Sequence, residues 1–150
     1  MPAASDAGSG AGLPRTFRPL ATRMAATLFG GMLLVISLAA WFLLAAEIRD
    51  RFTPFQIGTM VFFGLLLFSV WWGLVRSRIT ATTDKLVVVN GFRRHDYDWA
   101  QVLAVRLPSG APWASLDLAD GTTATALGIQ SSDGDRARAH LRELRALIDR

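Results

Sequence analysis

The sequence predicts an α+β chain: a hairpin of two membrane-crossing helices, then a small antiparallel β domain closed by one C-terminal amphipathic helix. Three observations carry this. Residues 24–46 and 55–75 are runs without a single charged side chain. Beyond residue 78, apolar residues alternate in short segments separated by turn dipeptides, the pattern of half-buried strands. From residue 132 onward the apolar spacing becomes helical. Composition agrees, because 51% of the residues are hydrophobic against 19% charged, and the excess lies mostly in the two runs. Cysteine is absent, which excludes disulfides, thiolate metal ligation and cysteine nucleophiles. The net charge of +4 rests on arginine, Lys85 being the single lysine, and suits an anionic surface.

The opening dozen residues are small, polar and glycine-rich, and with Arg15, Arg18 and Arg23 they read as a disordered basic tail over 1–23. A helix over residues 24–46 is about 34 Å long and covers a hydrocarbon core of roughly 30 Å. A signal peptide has the same basic-then-apolar order. Its apolar region is shorter, however, and here a second run follows at once. Glu47, Arg49, Asp50, Arg51 and Pro54 interrupt the pattern before residues 55–75. So short a connection returns the second helix antiparallel, making 24–75 a hairpin with both chain ends on one side. Arg15, Arg18, Arg23, Arg76 and Arg78 flank the ends against Arg49 and Arg51 in the turn, which places both termini in the cytoplasm of a two-helix cell-membrane protein. Trp71 and Trp72 mark the exit from the bilayer. Gly30, Gly31, Gly58, Gly64, Ser69 and Gly73 permit close helix packing.

Residues 76–150 read as the β domain. Strands are expected over 79–82, 86–89, 92–99, 102–107, 113–118 and 122–127, with Asn90-Gly91 and Asp120-Gly121 as turns, giving one antiparallel meander. Alternation puts Leu103, Val105 and Leu107 on one face, and Leu116 and Leu118 inward with Ser115 and Asp117 outward. Ser132 reads as the N-cap of the final helix. That helix carries Ala137, Leu141, Leu144 and Ile148 on one stripe with Leu147 beside it, covering an open end of the sheet.

Particular residues sharpen this plan. Ile79-Thr80-Ala81-Thr82, Asp84, Leu86 to Val89, Asn90-Gly91-Phe92-Arg93, Trp99-Ala100, Val102, Val105-Arg106, Pro112-Trp113-Ala114, Leu116, Leu118 and Asp120-Gly121 resemble the bacterial pleckstrin-homology-like family. The layout is similar to its two-helix, membrane-anchored actinobacterial type, which includes a low-molecular-weight protein antigen. The resemblance implies a reduced pleckstrin-homology-like fold and a membrane-anchored binding or scaffolding module. It covers turns and core positions from residue 24 onward and carries no catalytic motif.

Candidate contact residues are Arg76, Arg78, Lys85, Arg93 and Arg94, gathered around the first strand pair of the domain. Five cations near an anionic leaflet contribute on the order of 1 kcal/mol each, enough to orient the domain without a specific pocket. The turn at Thr83-Asp84-Lys85 is too short to copy a eukaryotic inositol-phosphate cage. His95, Asp96 and Asp98 are the nearest approach to a metal or acid–base cluster, but alternation along a strand sends His95 to the face opposite the two carboxylates. No metal or cofactor is expected. His140 reads as solvent-exposed, and Trp99 and Trp113 as core or rim packing. No nucleophile elbow or glycine-rich phosphate loop is present, so no enzyme activity is expected. The arginine-rich final helix lacks interleaved aromatics, which argues against nucleic acid. Two readings follow. One is a noncatalytic adaptor binding anionic lipid headgroups or a membrane or cytoplasmic protein. The other is an accessory subunit of a transporter or cell-envelope enzyme complex, against which stands the lack of an ionisable residue within either span.

Overall fold

A computed structural model of the protein describes residues 12–149. Two helices long and apolar enough to cross a membrane pack as an antiparallel pair ahead of a β domain. A first strand, β1 (Arg15–Phe17), leads into α1 (Leu20–Leu43), the short turn α2 (Ala46–Arg49) and α3 (Pro54–Arg76). The antiparallel pairing follows from its contacts. Trp71 near the end of α3 donates from Nε1 to Thr27 Oγ1 near the start of α1 at 3.4 Å, and Trp41 meets Phe52 edge-on at 5.4 Å across the connection. Thr53 starts α3 with a capping box: its Oγ1 accepts from the Gln56 amide, its own amide donates to Gln56 Oε1 at 2.9 Å, and Pro54 occupies the first turn. The polar side chain of Gln56 is thereby accounted for. Neither helix buries an apolar side chain, so the stripes that would seek a protein core face outward along their length.

The domain adds β2 (Arg78–Ala81), β3 (Lys85–Asn90), β4 (Arg93–Asp98), β5 (Val102–Arg106), β6 (Trp113–Leu118), β7 (Thr123–Gln130) and α4 (Asp135–Ile148). All six expected strands and the closing helix are present. They form two antiparallel sheets instead of one meander, ordered β1-β2-β3-β4 and β5-β6-β7. The ladder breaks after β4, where Asp98 and Gln101 cap a single 3-10 turn at residues 99–101 and turn the chain onto the second sheet. Ile79, Ala81, Leu86 and Val88 from the first sheet face Val105, Ala114, Leu116, Ala126 and Ile129 from the second, and Ala137, Leu141, Leu144 and Leu147 of α4 complete the core. The sheets meet most tightly at Gly128. A Cβ built there would stand 2.6 Å from the Ile79 backbone nitrogen, so only glycine fits.

Five local expectations change. Residues 15–23 are structured: Phe17 pairs with Ile79 in the ladder and is 2% exposed, a core residue, while residues 1–11 lie outside the described part of the chain. A three-residue strand with one inward side chain has no periodicity to detect. A bulge between Val102 and Ala104 breaks alternation in β5, burying Val102 and Val105 and leaving Leu103 61% exposed. Gly134, not Ser132, precedes α4, because residues 131–133 form their own 3-10 turn. Within α4 the inward stripe ends on Leu147, with Ile148 half-buried. His140 is half-buried too, edge-on to Phe17 at 5.3 Å, because β1 covers the helix face that sequence alone leaves to solvent.

Candidate functional site

The two ends of the helical pair meet the β domain at one joint. At the first end, Asp133 serves as the cap that α1 lacks in its own sequence: Oδ2 accepts from the Leu20 amide at 2.9 Å and Oδ1 from the Ala21 amide at 2.7 Å. Pro19, at the N-cap position, has no side-chain oxygen to offer. A carboxylate there satisfies two orphan amides and complements the positive end of the helix dipole. At the next residue, Thr22 donates to the side-chain oxygen of Gln130, whose Nε2 donates to the Leu127 carbonyl at 3.0 Å.

At the second end, Ser77 is 1% exposed and fully used, its hydroxyl donating to the Gly73 carbonyl and accepting from the Gly91 amide, both at 3.0 Å. The β3–β4 turn therefore sits directly on the last turn of α3. Gly91 has φ +61° with its Cα against Gly73, and the next residue, Phe92, is 67% exposed beside the same turn. Asn90 ties this turn to the second sheet, donating to the Thr125 carbonyl and accepting from the Leu127 amide at 3.0 Å.

Between these two attachments lies an open groove of about 540 Å³ lined by Thr22, Leu74, Asn90, Arg93, His95, Trp113, Thr125, Leu127 and Gln130. Thr22 comes from the first turns of α1 and Leu74 from the last turn of α3. Asn90 pairs with Arg93 and Val88 with His95 across the ladder, so Arg93 and His95 lie on the core-facing side of β4, where it runs past the core. Trp113 is 45% exposed at the rim. Among the described residues no carboxylate lines the groove. A second hollow of about 400 Å³ is lined by Tyr97, Gln101, Leu118, Ala119 and Asp120. Its acidic group is satisfied locally: the hydroxyl and amide of Thr122 bond the Asp120 carboxylate and hold its pKa low.

The structure divides the five candidate cations. Arg76 ends α3 with its guanidinium 5.8 Å from the centre of the Trp72 ring, a cation–π pair. Arg78, Lys85 and Arg94 share the outer face of the first sheet, as their register with Val89, Asp98 and Val89 requires. That face also carries Asp96 and Asp98. Asp96 accepts from Lys85 Nζ at 2.6 Å and from Arg94 Nε at 2.8 Å, and these bonds hold its carboxyl well below the usual range. The outer face is thus internally neutralised in part, and Asp96 is committed to cations. Arg93 alone points to the other side, into the groove. His95 stacks on Tyr97 with centroids 6.1 Å apart, away from both aspartates as alternation requires. Trp99 is a half-buried packing residue whose indole donates to the Thr82 carbonyl at 3.1 Å. Sequence reasoning missed Thr22, Asn90, Gln130 and Asp133 as parts of a site. Asn90 was legible as a turn residue, but nothing in the order of residues brings Asp133 to Leu20.

Residues 76–147 match the family model described as Bacterial PH domain. Uncharacterized proteins of Mycobacterium tuberculosis and Mycobacterium bovis are 29% identical to the chain over 121 residues, which is 81% of this chain and 73% of theirs. That stretch is longer than the domain, so the likeness reaches into the helical pair. No solved structure matches the chain. With two antiparallel sheets closed by a C-terminal helix over the same residues, the β domain of this protein is a bacterial pleckstrin-homology-like domain.

Proposed function

We propose that the chain is a noncatalytic membrane-anchored binding module. In this reading α1 and α3 span the cell membrane as a hairpin and hold the pleckstrin-homology-like domain against the cytoplasmic face, where it takes anionic lipid headgroups or a protein partner. The observation that carries it is the joint: the domain grips the start of α1 through Asp133 and the end of α3 through Ser77. Both grips lie at one end of the helical pair, so a hairpin in the bilayer fixes the distance and tilt of the domain from the surface. The apolar exteriors of both helices need a lipid or protein environment, and the arginine excess at that end favours the cytoplasm.

Reporter fusions test it. A cytoplasm-active reporter at the C-terminus and a periplasm-active one inserted between Asp50 and Arg51 are both expected to work, with the protein resisting alkaline extraction. Release by alkali, or activity of the periplasmic reporter at the C-terminus, overturns the anchored cytoplasmic reading. Crosslinking in native membranes separates the adaptor from an accessory subunit: a partner retained by the hairpin without the domain points to the subunit.

A further inference from the structure

We propose that the groove at the joint holds the phosphate of one anionic phospholipid from the adjoining leaflet, with Arg93 as its ion-pairing group. This rests on the membrane-anchored reading, because that reading sets the groove at headgroup depth. Leu74 lies two residues before Arg76, the interfacial cation of α3, and Thr22 lies in the first turns of α1. One side of the groove therefore opens on lipid.

Charge selects the occupant. Arg93 is exposed and has no ion pair among the described residues, while Lys85 and Arg94 on the opposite face are engaged by Asp96. The lining, among the described residues, offers a guanidinium, an imidazole and an indole and no carboxylate, so it attracts an anion without repelling it. Asn90 and Gln130 spend their side chains on backbone and neighbouring groups, which makes them a fixed frame instead of competing ligands. Arg93, His95 and the Trp113 indole are left to meet a ligand. The volume lies within the range of small-molecule sites. Leu74 and Leu127 offer an apolar wall to the glycerol and first acyl carbons, and Phe92, exposed beside Gly73, flanks the exit toward the chains. A membrane lipid satisfies charge and apolar wall together. A soluble phosphate satisfies only the first.

The test is native mass spectrometry of the full-length protein in detergent, titrated separately with phosphatidylglycerol and phosphatidylcholine. One phosphatidylglycerol is expected to bind in preference. Arg93→Gln is expected to weaken that binding about tenfold, the worth of one charge-assisted hydrogen bond, whereas Arg94→Gln, of equal charge, leaves it within twofold. Trp113→Ala is expected to weaken both lipids. Equal losses for Arg93→Gln and Arg94→Gln overturn the site in favour of diffuse attraction. Full displacement of the lipid by glycerol phosphate overturns a lipid in favour of a soluble phosphate ligand. Unchanged circular dichroism and melting of each variant keep misfolding out of the comparison. Failure here with resistance to alkaline extraction removes only the groove ligand, while extraction by alkali removes the anchored reading itself.

Discussion

At the scale of single residues, two glycines and a histidine carry the sharpest consequences. Gly128 is where β7 crosses β2 at backbone contact distance, and the atom a Cβ would strike belongs to the Ile79 main chain, which cannot step aside as a flexible side chain would. Gly128→Ala is expected to cost about 3 kcal/mol, the upper end of overpacking penalties, read as a lowered midpoint in denaturant unfolding of the detergent-solubilised chain. Gly91 needs φ +61° and lies against Gly73, so Gly91→Ala is expected to cost roughly 1–2 kcal/mol. It is also expected to loosen the turn from α3, read as faster amide exchange at Gly91. Asn90-Gly91 was legible as a turn from the dipeptide alone. The use of that turn as a seat for a helix end was not, since Gly73 is remote in sequence.

His140 gives the pH response of the same scale. Burial against Phe17, with Arg136 nearby, holds its pKa below the usual 6.5, while Glu143 and Asp133 act in the opposite direction. The folded state therefore disfavours the imidazolium. As pH falls through about 6.5 the unfolded chain takes up the proton first, so stability drops on acidification and is fully present above that value. Melting followed between pH 7.5 and 5 is expected to show this loss, and His140→Phe is expected to reduce it. An unchanged pH profile in that variant assigns the response elsewhere.

At the scale of elements, α1 is capped by a residue of the domain instead of one of its own. Asp133→Ala is expected to remove about 1 kcal/mol of capping. Amide exchange at Leu20 and Ala21 should then rise selectively, and spin-label distances between α1 and α4 should broaden. Exchange confined to the 3-10 turn around residue 132 would show the cap to be dispensable. The β5 bulge belongs here as well: alternation placed Leu103 on one face with Val105, and one extra residue in the ladder turned Leu103 out while Val105 stays in the core. In α4, spacing alone found Ala137, Leu141 and Leu144, because a helix with one covered face writes its burial into its period.

At the scale of the whole molecule, domain and hairpin are not separable at residue 76. β1 lies before α1 in sequence yet forms the edge of the domain's first sheet, and Phe17 is a core side chain. A fragment of residues 76–150 loses that contact, worth about 1.5–3 kcal/mol for a fully buried aromatic, and uncovers His140. It is expected to melt below a chimera in which residues 12–19 are joined ahead of residue 76 by a flexible linker. Equal melting of the two would make β1 an ornament of the domain. The 121-residue likeness to the mycobacterial proteins covers more than the domain alone, in keeping with a unit that includes its helices.

The sequence by itself determined the elements whose signal is local and repeated: two charge-free runs long enough to cross a bilayer, six alternating strands with their turns, and the final amphipathic helix. It also determined that His95 and the neighbouring aspartates face apart, since strand alternation is a property of the backbone. Only the tertiary structure decided how the first sheet recruits β1, how Asp133 caps a helix more than a hundred residues away, and that the face carrying Arg93 borders a groove. The physical reason is the range of the information. Periodicity and propensity are written within a few residues, whereas a cap borrowed from another element, a backbone crossing at Gly128 and the partner of a cation depend on where the chain returns. That is settled by burying the core as a whole.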